Sequence, residues 1–195
     1  VISHPHADHI SDIQTLFNED MKPRVLARPK DLSEEFIRES NQNKFTEIID
    51  LYLKLDEDYS SDVPWENNPR NPTKNGGVYI KNFSQRKAGM DNINNYSFVS
   101  VISFGNQKII IPGDIETVGW NALLEKEEFL KAIKNTTILI ASHHGRESGF
   151  SKNIFEYFRP DITIISDGKY KEVGRARHFG PHDTRRIRGE RMGPL

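Results

Sequence analysis

A chain of 195 residues with 35% hydrophobic and 28% charged side chains has the size and composition of one globular domain with a single core. Its net charge of -1 argues against a strongly basic nucleic-acid surface over the body of the domain, and the absence of cysteine excludes disulfides and thiolate metal ligands. No run approaches the roughly 18 apolar residues that a membrane helix needs, and without an export segment at the start the expected location is cytoplasmic.

The chain begins Val1-Ile2-Ser3-His4-Pro5-His6-Ala7-Asp8-His9, three imidazoles and a carboxylate directly behind a short apolar stretch. Imidazole and carboxylate are the ligands that divalent zinc, iron and manganese take from proteins. If Val1 and Ile2 finish a strand, a turn through Pro5 lets His4 and His6 converge on one ion. Asp8 and His9 then face a second, about 3.5 to 4 Å away as in two-metal hydrolases.

Further along, Asp31-Leu32-Ser33-Glu34-Glu35 is a capped helix start with acidic residues at the amino end. Phe36, Ile37, Phe45, Ile48, Ile49, Leu51, Tyr52 and Leu55 follow at helical spacing, which predicts an apolar face over one long or two shorter helices. From Asp56 to Gly77 the composition turns to Asp, Asn, Pro and Gly, an exposed loop, and Trp65 within it is read as an anchor of that loop rather than a stacking platform.

Strands are expected at Val78-Tyr79-Ile80 and from Ser97 to Phe104, with Gly105-Asn106 as a hairpin turn into Lys108 to Ile111. The latter strand leads to Pro112-Gly113-Asp114, a turn that by itself needs no ligand role. Trp120, Leu123, Leu124, Phe129, Leu130 and Ile133 have helical spacing, as do Ile154, Phe155, Tyr157 and Phe158. Between them, the buried-type strand Thr137 to Ala141 delivers Ser142-His143-His144-Gly145. Adjacent histidines on a strand end point to opposite sides, so one of the two is expected to bind metal. After Val173 the composition changes, with Arg175, Arg177, Arg185, Arg186, Arg188 and Arg191 crowding a stretch that lacks Lys. The division expected is a domain over 1–172 and an Arg-rich tail over 173–195, disordered or not native to the domain.

His4-x-His6-x-Asp8-His9 resembles the HxHxDH signature of the metallo-β-lactamase fold superfamily. The run from Asn95 to Val101, then Gly113-Asp114, Ser142-His143-His144-Gly145 and Ser166-Asp167-Gly168, is similar to its ComEC-type branch, which includes the hydrolase domain of bacterial DNA-uptake channels. The likeness covers most of residues 1–170. It departs from the superfamily in having no His between His9 and His143, and from ComEC-type relatives in carrying Arg177-His178-Phe179-Gly180-Pro181-His182 where they tend to have Tyr-Gly-His-Pro.

The resemblance implies an α/β fold, a four-layer αβ/βα sandwich whose first strands precede this chain. It implies two divalent ions, zinc first with manganese or iron as alternatives, held by His4, His6, Asp8, His9, Asp114 and His143. Asp114 would bridge the ions, Asp8 would orient a metal-activated hydroxide, and His144 would serve the leaving group, with the reverse roles of His143 and His144 also open. Arg146 is a candidate phosphate contact, and Asp167, His178 and His182 have no assigned role. The implied activity is metal-dependent hydrolysis of a phosphodiester in a nucleic acid or nucleotide. The alternatives are hydrolysis of a lactam, lactone or thioester, and an inactive binding or regulatory module.

Overall fold

The computed structural model describes residues 1–30, 32–85 and 91–166, so Asp167, His178, His182 and the Arg-rich tail lie outside the described residues. The protein is mixed α/β. Its helices are α1 (Ala7–Ile10), α2 (Ile13–Asn18), α3 (Glu34–Ser40), α4 (Thr46–Asp58), α5 (Thr117–Leu124) and α6 (Glu127–Ile133). Its strands are β1 (Tyr79–Phe83), β2 (Val99–Phe104), β3 (Gln107–Ile111), β4 (Ile138–Ile140) and β5 (Ile162–Ile164).

The strands form one sheet in the order β1-β2-β3-β4-β5. The first three are antiparallel neighbours, and β3, β4 and β5 run parallel. The β2–β3 turn is where the sequence places it: Phe104 pairs with Gln107, and Gly105 supplies the positive φ of 55° that a two-residue hairpin asks of glycine. Parallel strands need a crossover, and α5 and α6 provide the one from β3 to β4. Their residues Trp120, Leu123, Phe129 and Ile133 are buried against Val99, Val101, Ile110 and Leu139 of the sheet. Ile154 and Phe158 complete this core, although Lys152–Glu156 coils as a 3-10 turn rather than an α-helix.

A second apolar cluster lies among α1 to α4, with Ile10, Ile13, Ile37, Ile49, Tyr52 and Leu55 buried together with Ile2 and Ile93. The apolar spacing from Phe36 to Leu55 therefore belongs to two helices. Ser33 caps the first, its hydroxyl accepting the Phe36 N–H at 3.2 Å. Phe45 departs from the expected face: it sits at the N-cap of α4 with φ 57° and ψ 36°, which swings its ring away from the helix stripe and leaves it 61% exposed. Trp65 is 56% exposed too, so its ring is not a buried anchor, and the Asn71 amide donates to the Trp65 carbonyl within the loop.

Val1 and Ile2 are not in a strand. Ile2 donates to the Ala27 carbonyl at 2.8 Å and Ser3 accepts from the Phe98 N–H at 2.8 Å, one backbone bond to each side where a ladder would need several. Among the described residues no helix is long and apolar enough to cross a membrane.

Candidate metal centre

Ligand sites in open α/β sheets gather beyond the carboxyl ends of parallel strands, and here the loops after β3 and β4 meet at that edge. Gly113 turns the chain with φ 62° and delivers Asp114. The loop after β4 is tied to the same turn: the His143 N–H donates to the Gly113 carbonyl at 3.2 Å, and the Ser142 hydroxyl donates to the carbonyls of Gly113 and Ile115. The His-rich N-terminal loop is fastened on the other side by Asn41. Its Nδ2 donates to the carbonyls of Pro5 (3.0 Å) and Ile37 (2.8 Å), while its Oδ1 accepts the Ala7 N–H at 2.9 Å.

Three side chains, His4, His9 and Asp114, each offer a ligand atom within 4.8 Å of the others. His4 is fully buried, with its Nδ1 3.2 Å from both Ser3 Oγ and Ser97 Oγ and its Nε2 3.0 Å from His6 Nδ1. Ser97 also accepts the Asp114 N–H at 3.2 Å, so one hydroxyl links the two halves of the centre. His9 Nε2 lies 3.3 Å from Asp114 Oδ2, and its Nδ1 is 3.2 Å from Ser3 Oγ.

His143 and His144 complete the ring around Asp114 in an unexpected way. The strand ends at Ile140, and both histidines take left-handed backbone angles, φ 49° and 56°, so the alternation of a strand end does not apply. Their Nε2 atoms fall 3.9 and 3.6 Å from the same Asp114 Oδ2. The partners of the other ring atoms define the tautomers. A carbonyl only accepts, so His144 Nδ1 carries a proton and donates to Ser166 O at 2.9 Å. A guanidinium only donates, so His143 Nε2 accepts from Arg146 Nη1 at 2.9 Å, and its Nδ1 donates to Ser148 Oγ at 3.0 Å and faces Glu116 Oε1 at 3.2 Å. Metal-binding histidines typically have the second ring nitrogen held in this fashion.

Electrostatics follows from the crowding. Burial, reinforced by His9, pushes the His4 pKa down to about 3. Burial also lowers His6 and His143. For His9 burial is outweighed by the Asp114 carboxylate, and its pKa rises. Burial would raise Asp114, but the hydrogen bond and charge of His9 override it and bring the carboxyl down to about 2. The centre therefore holds an ionised carboxylate amid imidazoles of which His4, His6 and His143 favour the neutral, lone-pair-bearing form. Such a set of nitrogen and oxygen donors suits a divalent cation.

Of the residues singled out in the sequence, His4, His6, His9, Asp114, His143 and His144 are thus brought together. Asp8 is set apart, with its side chain 75% exposed and its Oδ2 3.8 Å from His9 Nε2. Arg146 reaches the centre through His143. Asn41 and Glu116 carry no motif signal and escaped the sequence reading, and Ser97 lies in the Asn95–Val101 run without a role assigned to it.

No family model matches the chain. It is similar to Recombination protein 2 of Haemophilus influenzae, 26% identical over 77 residues, a stretch that makes up 40% of this chain and spans only 9% of that protein.

Proposed function

We propose that the chain is a metal-dependent hydrolase of the metallo-β-lactamase kind, acting on a phosphodiester of a nucleic acid or nucleotide. The observation that carries the reading is the gathering of ligand atoms of His4, His9 and Asp114 within 4.8 Å of one another, with the His144 Nε2 lone pair 3.6 Å from the same Asp114 carboxylate oxygen. Lone pairs and a carboxylate repel one another, and a cation between them relieves that repulsion. The similarity to a protein named for recombination, a process of DNA, supports the phosphodiester over a lactam, lactone or thioester. The four-layer sandwich is part of the proposal; the sheet and its α5–α6 face would supply half of it.

Bound divalent ions, zinc first with manganese or iron as alternatives, would lower the pKa of a water toward neutrality and so supply a nucleophile. His4, His6, His9 and Asp114 would bind them, with His143 and His144 as further donors. Asp8 stands beside His9 with an exposed carboxylate that can orient the attacking water and accept its proton. Arg146 sets a positive charge at the rim, where it can hold a phosphate oxygen. Ser166 keeps the His144 proton on Nδ1, so Nε2 remains free to bind metal or take up a proton.

Elemental mass spectrometry on untagged protein purified without chelators, together with cleavage of bis(p-nitrophenyl) phosphate, tests the reading. About two metals per chain, lost in Asp114→Ala, and chelator-sensitive cleavage are expected. Metal-free folded protein would overturn the hydrolase, and cleavage of a lactam or thioester reporter in place of the phosphodiester would overturn the substrate class.

A further inference from the structure

Beside the metal centre opens a cavity of about 690 Å³, within the range of small-molecule sites. His6 and Asp8 line it on the side shared with the centre, and Asn41, Lys44, Phe45 and Ile48 line it as well. Phe45 is out of place for a core residue. It belongs to neither apolar cluster, its ring is 61% exposed, and its backbone is left-handed, as are Gln42 and Asn43 just before it. A left-handed conformation is costly for a bulky aromatic residue, and such costs concentrate at binding sites. The strain here turns a flat apolar face to the cavity instead of to the interior. Next to it, Lys44 Nζ bonds the neutral Gln42 Oε1 at 3.1 Å, a contact that leaves its charge uncancelled.

We infer that this cavity is a nucleotide subsite, in which Phe45 stacks on a base of a single strand and Lys44 holds the neighbouring phosphate. The inference rests on the phosphodiesterase reading, and extends it from the reacting group to the strand that carries it. The shared His6–Asp8 wall makes the geometry continuous: a strand with one phosphate at the metals places an adjoining nucleoside over Phe45. Stacking suits a single strand because its base faces are free, and an exposed ring discriminates little among bases. A duplex keeps those faces covered.

The test is fluorescence anisotropy with a labelled ten-residue oligothymidylate, on the full chain as purified and after chelation, against a duplex of equal length. Phe45→Ala should weaken single-strand binding by about 5- to 150-fold, the range that loss of one stacking contact brings. Phe45→Trp should restore it. Lys44→Ala should flatten the salt dependence by close to one phosphate contact. Equal affinity of wild type and Phe45→Ala, failure of Phe45→Trp to rescue, or equal binding of the duplex would overturn the subsite. Failure of the hydrolase reading shows elsewhere, as absent metal and absent cleavage of the small reporter by the unaltered protein.

Discussion

The carboxamide of Asn41 accepts the backbone N–H of Ala7 at 2.9 Å, and this bond, with the one Asn41 donates to Pro5 O, fixes the loop carrying His4, His6 and His9 to the end of α3. Asn41 is buried, so removal of its side chain strands a donor at Ala7 and an acceptor at Pro5, while the Ile37 carbonyl keeps the Asn41 backbone N–H. Asn41→Ala should cost roughly 1–3 kcal/mol of stability. Metal affinity should drop about 10- to 100-fold, as for loss of other groups that orient ligands. Thermal unfolding and competitive metal titration give the two numbers. A destabilised variant with unchanged affinity would confine Asn41 to the fold.

That bond also marks the limit of what the sequence displays. The ligand candidates announce themselves because a metal needs several donors of a few residue types close together, and the N-terminal run concentrates them in six positions. Periodicity likewise places α4, α5 and the β2–β3 hairpin, because burial of one face imposes it. Asn41, the role of Ser97 within its motif run, and Glu116 are invisible by the same logic. Each acts through a bond to a partner distant in sequence, Ala7, His4 and His143 respectively, and one polar residue has no period. Phe45 misleads for the opposite reason. Its hydrophobicity fits the stripe, but a left-handed N-cap residue does not share the orientation of the helix it precedes. The left-handed turn at His143 and His144 escapes for a related reason, since nothing in a Ser-His-His-Gly string states its φ angles.

The two histidines can be separated. His143 Nε2 already accepts from Arg146, whereas His144 Nε2 lies 3.6 Å from Asp114 with its tautomer set by Ser166. His144→Ala should therefore weaken metal binding more than His143→Ala does, by at least tenfold in competitive titration. The role of His143 as the ligand and His144 as proton donor predicts the reverse: His143→Ala would lose metal, and His144→Ala would keep it while losing turnover.

Gly113 is the only residue type its position accommodates easily. Its φ is 62°, and a Cβ there would lie 2.8 Å from Ser3 Cβ and 3.2 Å from Ser97 Cβ, the two residues whose hydroxyls flank His4. Gly113→Ala should cost about 1–3 kcal/mol in backbone strain. It should also displace Ser3 and Ser97, lowering metal affinity along with the melting temperature. A melting temperature and affinity both equal to wild type would show that the turn relaxes without disturbing His4.

Acid should destabilise the chelated protein well before its carboxylates are protonated. His4, His6 and His143 have folded pKa values below 6.5, so below that pH the unfolded chain binds protons that the folded protein refuses. Stability therefore falls as pH drops from 6.5, continuing toward about 3 for His4. His4 alone contributes on the order of 3 kcal/mol of that loss by about pH 4. His9, raised by Asp114, works in the other direction: its contribution is full below 6.5 and is lost as pH climbs through its folded value. The Asp114 contribution is present above 3.8 and disappears only as the pH falls toward about 2. Below pH 6.5 the His9 contribution is constant, so the three depressed histidines give a net decline between pH 6.5 and 4, visible as a falling urea midpoint. His4→Asn should flatten the slope, because a group that never ionises removes the largest depressed site. A midpoint that stays level or rises between pH 6.5 and 4 would mean that the folded protein takes up protons at His4, His6 and His143 as readily as the unfolded chain does.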